Sequence, residues 1–143
     1  MPIQLPTRRT LTLEAARVAL AASEAEAVKN GWRVVIAVVD DGGHPMLLVR
    51  LDGAQWSSIS TAVEKARAAT AWKRPTRLLE ESVNNGRTAF LSINQGMALL
   101  QGGVPIEIEG AVLGAVGVSG VKASDDEIVA LAGVNALKSA LGW

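Results

Sequence analysis

From Trp32 to Val39 the chain is apolar at nearly every position and rich in β-branched residues. That pattern suits a central strand covered on both faces. A second apolar run, Pro45 to Leu51, follows Asp40-Asp41-Gly42-Gly43. Asp and Gly accept the positive φ of short turns, so the two runs predict an antiparallel hairpin. Within the second run, period-two alternation puts His44, Met46, Leu48 and Arg50 on one face and Pro45, Leu47, Val49 and Leu51 on the other. An imidazole and a guanidinium are thereby expected to share one side of the sheet.

Helical spacings flank this hairpin. Thr12 is placed to cap a helix whose stripe, Leu13, Ala16, Leu20 and Ala27, ends near Asn30-Gly31. A second helix starts at Ser57 or Ser58, runs through Ile59, Ala62, Val63, Ala66 and Ala69, and stops by Lys73-Arg74, because the residue before Pro75 avoids helical geometry. Lys65 borders its apolar stripe, where a lysine reaches a pocket rim. Thr76 to Val83 predicts a short helix and Asn84-Asn85-Gly86-Arg87 a polar loop, while residues 89–100 fit either a short helix or irregular chain.

Val104 to Ile108 and Ala111 to Ser119 predict a second hairpin across Glu109-Gly110. Gly114 and Gly117 lie inside its later strand, and glycine weakens a strand unless another backbone or a ligand must come close. Ser124-Asp125-Asp126-Glu127 reads as a capping box opening a last helix through Ala130, Val134, Leu137 and Leu141. The expected fold class is α+β, an α/β sandwich with a central antiparallel sheet flanked by helices, since hairpins rather than crossover helices join the strands. Residues 1–143 make one domain, with 1–11 an arm pinned by Leu5 and Leu11.

Composition narrows the chemistry. Fourteen acidic and fourteen basic residues cancel, so no charge field points to nucleic acid. With no cysteine and one histidine, thiolate nucleophiles, disulfides, cysteine-ligated zinc and His-pair metal sites are excluded. The start has no uninterrupted apolar signal region, and no run of about 18 apolar residues suggests a membrane span. A cytoplasmic location is expected. Gly114 to Gly120 lacks the lysine of a phosphate loop and reads as strand. The four tryptophans read as core or interface anchors. By residue type, His44 is either a solvated turn residue or a ligand or general base. Arg50 and Lys65 either hold a carboxylate or pair with Asp52 and Glu64.

Leu11-Thr12-Leu13-Glu14-Ala15-Ala16, Val39-Asp40 before Gly42-Gly43-His44, Arg50-Leu51-Asp52-Gly53-Ala54, Lys65-Ala66, Pro75-Thr76, Gly102-Gly103-Val104-Pro105-Ile106, Gly114 to Gly120 and Asp126-Glu127 occur in this order. Together they resemble the GlcG/HbpS family of haem-binding-like proteins, which includes the C-terminal domain of PduO. Leu51 stands where that family often has methionine. The resemblance implies a profilin-like α/β sandwich, assembly into homo-oligomers and, in several members, haem binding. Carried over by position, His44 and Thr76 are ligand candidates, and Arg50 and Lys65 would meet carboxylates. The leading expectation is therefore a cytoplasmic homo-oligomer that binds haem or a related tetrapyrrole through His44, with no nucleic-acid or membrane partner. The rival is an enzyme with isomerase-type or lyase-type acid–base chemistry on a small carbonyl or carboxylate metabolite of a catabolic pathway. There His44 would be the acid or base.

Overall fold

The computed structural model describes residues 1–93 and 95–143. The Thr12 hydroxyl accepts the amide of Ala15 and starts α1, Leu13–Asn30, and Gly31 ends it in the left-handed region at φ +69. The chain then forms β1, Val35–Asp40, and β2, Pro45–Arg50. Helix α2, Ser57–Trp72, stops at Lys73, two residues before Pro75, and α3, Thr76–Asn84, follows. The stretch left open at 89–100 contributes to a 3-10 segment, Thr88–Ser92, and is otherwise irregular, residue 94 lying outside the described residues. Strands β3, Gly103–Ile108, and β4, Ala111–Ser119, are joined through Glu109 and Gly110, both at positive φ, as a two-residue hairpin turn requires. Helix α4, Ala123–Ala140, completes the chain.

The four strands form one antiparallel sheet in the order β2-β1-β4-β3, so the continuous apolar run of β1 is central, as its pattern predicts. One face packs Ile36, Val38, Ile106, Val116 and Val118 against α1 and α4 in the main core. On the other, Val35, Ala37, Val39 and Ala115 meet Ala62, Ala66 and Ala69 of α2. This second layer is thin because the sheet offers bare backbone there. A Cβ on Gly117 would lie 2.0 Å from the Ala62 carbonyl, and one on Gly103 2.3 Å from that of Lys65. The chain is thus α+β, with helices on both faces of the sheet.

Four local expectations change. Leu5 is exposed and only Leu11 of the arm enters the core, with Arg9 pairing with Glu109 at 2.5 Å. Leu13 is exposed at the first position of α1, and the inward stripe is Ala16, Ala19, Ser23 and Ala27. No capping box forms at α4: Lys122 is the N-cap, no side chain bonds the cap, and Asp126 is drawn into a buried ion pair instead. Of the tryptophans expected as anchors, Trp32 packs against the main core, whereas Trp56 is 82% exposed. No helix of the described residues is long and apolar enough to cross a membrane.

Candidate functional site

The β1–β2 turn is built by one carboxylate. Gly43 N donates to Asp40 O (3.0 Å), and Asp40 Oδ1 accepts the amides of Gly42 and His44, both at 2.9 Å. Gly43 supplies the left-handed φ of +81 that the three-residue loop needs. At Gly42 a Cβ would sit 2.8 Å from the exposed His44 ring, which would have to turn away. The ring is thus seated over Gly42, with Nδ1 3.2 Å from Asp40 Oδ1. Partial burial opposes ionisation of Asp40, but the amide bonds from His44 and Gly42 and the adjacent imidazole outweigh it and hold the carboxyl below its ordinary range.

A carboxylate at Nδ1 favours the tautomer with the proton on that nitrogen, so Nε2 presents its lone pair outward. Nε2 has no partner among the described residues, and the side chain is 77% exposed. Beside it is a groove of about 400 Å3 lined by His44, Arg67, Thr70, Gln95 and Met97 with the glycine turn. Helix α2 forms its wall. Arg67 Nε donates to Gly43 O (3.1 Å) and Thr70 Oγ1 to Asp41 O (3.2 Å), tying the turn to the helix. Among the described residues the terminal nitrogens of Arg67 make no hydrogen bond, and one of them lies beside Gly96.

The expected grouping of His44 with Arg50 does not occur. Pairing shifts from Val38↔Leu47 to Val39↔Pro45, so Met46 is an extra residue that breaks the alternation. Met46, Leu47 and Val49 turn toward the main core, while Leu48 and Arg50 are exposed. His44 and Arg50 also stand at opposite ends of β2, and six residues at a strand rise of ~3.3 Å separate them by about 20 Å.

Lys65 does not reach a rim either. It is 3% exposed, and its Nζ donates to Val118 O (2.9 Å) and Asp126 Oδ2 (3.0 Å), not to Glu64. Asp126, 2% exposed, also accepts the Val121 amide at 3.1 Å. Burial pushes the Asp126 carboxyl up, while Lys65 and the Val121 amide pull it back. Thr76 is fully buried: its Oγ1 accepts the Gly103 amide (2.8 Å) and so pins the start of α3 to β3. Of the four expected site residues, only His44 lines the groove.

Arg67 is the cation that sequence reasoning missed. Its signal was present: Arg67, Thr70 and Ala71 form an i, i+3, i+4 set beside the alanine stripe of α2. What the pattern lacked was the knowledge that this edge of the helix abuts the glycine turn.

Comparison with known proteins decides the family. The pattern of the haem degrading protein HbpS-like family matches residues 11–135. The chain belongs to the HbpS-like family. Protein GlcG of Escherichia coli strain K12 is 44% identical to this HbpS-like protein over 115 residues, 80% of this chain and 85% of GlcG. The crystal structure of Klebsiella pneumoniae protein ORFY has a TM-score of 0.89 at 31% identity, covering 97% of this chain and 98% of that one. A double mutant of HbpS from Streptomyces reticuli has a TM-score of 0.82 at 34% identity, covering 94% and 95%. The antiparallel sheet flanked by helices in this HbpS-like protein is thus the architecture of its structural relatives.

Proposed function

We propose that the groove beside the glycine turn binds haem or a related tetrapyrrole, with His44 Nε2 as the metal-directed donor and Arg67 taking a carboxylate. The observation that carries this reading is the Asp40–His44 pair. A carboxylate that fixes Nδ1 and leaves Nε2 outward is the arrangement that orients an imidazole toward a metal and raises its basicity. Arg67 supplies the planar fork that suits a propionate. The family description, which names haem, supports the choice of ligand.

The donor set fits the group. A groove of about 400 Å3 on the surface takes one edge of a macrocycle and leaves the rest to solvent or to a second subunit. Bound haem would bring redox-active iron. The protein's own part is to hold and orient it: Asp40 keeps the imidazole proton on Nδ1, Arg67 anchors the carboxylate, and Thr70 holds the turn in place. The same volume suits a small carboxylate metabolite with His44 as acid or base, and this is the second reading. Mass spectrometry of the molecules that copurify separates the two.

Haemin titrated into the purified protein is expected to give a saturable Soret shift. His44→Ala should abolish the shifted band, and Asp40→Asn should weaken binding by about 10-fold to 100-fold. Arg67→Lys keeps the charge but loses the fork, and should weaken binding about 10-fold, whereas Arg50→Ala should leave it unchanged. A titration indifferent to His44→Ala removes this reading.

We further propose a cytoplasmic homo-oligomer. Supporting it, Trp56 and Leu48 expose apolar surface near the uncovered edge strand β2. Light scattering should give a multiple of 14.9 kDa, and a monomer mass contradicts the proposal.

A further inference from the structure

We propose a second ligand site, in a cleft behind the 3-10 segment, for a small organic carboxylate with a flat apolar body. The cleft has a volume of about 570 Å3 and shares no lining residue with the His44 groove. Its wall is the end of α2 with Trp72 and Arg74, and its mouth is formed by Arg87, Phe90 and Ile93. The charged lining is wholly cationic, and neither guanidinium has a carboxylate partner among the described residues.

The deciding atom is Trp72 Nε1. It is a buried N–H with no hydrogen-bond partner in the described structure, and buried donors are almost always paired. The C-termini of α2 and α3 favour nearby cations and so account for Arg74 and Arg87, but not for an orphan indole donor between them. Ser82 and Ser92 already donate to Leu78 O (3.0 Å) and Ala89 O (2.7 Å), so recognition falls to the indole and the two guanidinia.

Arg87 lies 4.8 Å over the Phe90 ring, and Arg74 Nε donates to Trp72 O at 3.1 Å, leaving its terminal nitrogens for an anion. Phe90 meets Trp72 at 5.4 Å between centroids, inclined by 55°. No residue of the 3-10 segment that carries Phe90 is buried, so its ring can swing aside without opening the core. A planar ligand takes the place of that ring against Trp72 and Ile93, and its carboxylate accepts from the indole and from Arg87 and Arg74. Two forks and an N–H select a carboxylate over a neutral amide.

The test uses protein with 15N-labelled tryptophan, in which the Trp72 indole resonance is identified by its loss in Trp72→Phe. Titration with 2-naphthoate should shift that resonance saturably. 2-Naphthamide should bind about 10-fold more weakly or worse, as should 2-naphthoate to Arg87→Ala, whose exposed side chain is remote from the core. His44→Ala and Arg67→Lys should leave the titration unchanged. An unmoved Trp72 signal, equal affinity for acid and amide, or sensitivity to Arg67→Lys each overturns the proposal.

Discussion

Lys65→Met is expected to cost about 3–5 kcal/mol of folding stability, because it strands the Asp126 carboxylate in the interior without its counter-charge. Urea denaturation of the variant against wild type measures this directly. The pair is sealed, at 3% and 2% exposure, between α2, the end of β4 and α4. Adding Asp126→Asn to Lys65→Met should recover more than half of the loss, since asparagine still accepts the Val121 amide without carrying charge. A loss below about 1 kcal/mol for the single variant would show that the ammonium does not compensate Asp126.

The defect should also depend on pH in a stated direction. Burial already raises the Asp126 carboxyl above its ordinary 3.8, and removing Lys65 takes away the main opposing influence. A carboxyl raised in the folded state binds a proton there while the unfolded chain is still ionised. The variant therefore gains stability as pH falls through the raised value toward 3.8, and loses it as pH rises. Its deficit relative to wild type should be larger at about pH 8 than at about pH 5. A deficit flat across that window would contradict the assignment.

Gly117→Ala should be the most damaging small substitution in the chain, costing about 3 kcal/mol or more. The added Cβ would fall 2.0 Å from the Ala62 carbonyl and 2.7 Å from the Ala66 amide. Both are helix backbone atoms that cannot step aside unless α2 lifts off the sheet. Gly86→Ala is the control: it replaces a glycine at positive φ (+103), unlike Gly117, but nothing lies within 4 Å of the new Cβ, so only backbone strain of about 1 kcal/mol is at stake. Circular dichroism melts of the two variants should separate them widely, and similar midpoints would mean that α2 does not rest on β4 as described.

The order of elements was legible because its signals are local. Thr12 and Gly31 bracket α1 by capping chemistry, Pro75 ends α2, and Glu109-Gly110 sets a tight hairpin. The apolar run of β1 announced a doubly covered strand, and Gly117 inside β4 announced the close approach of another backbone. The site was only half legible. His44 and its glycine turn were visible, since they are neighbours in sequence.

Its cationic partner was not, and the error was one of distance along the strand. Alternation tells which face a residue takes but not how far apart two residues on that face stand, and six residues of strand put Arg50 about 20 Å from His44, at the far end of β2. Lys65, drawn as a rim residue, was claimed by a carboxylate 61 positions away, and the capping reading of Ser124 to Glu127 failed because α4 starts earlier, after Lys122, with Glu127 turned to Gln101 and Arg77. The amino-acid sequence alone determined the elements, their caps and turns, the antiparallel class and the identity of the one imidazole, because each follows from residues within a few positions of one another. Only the tertiary structure decided which cation stands beside that imidazole and which is buried, because those outcomes depend on distances between segments far apart along the chain.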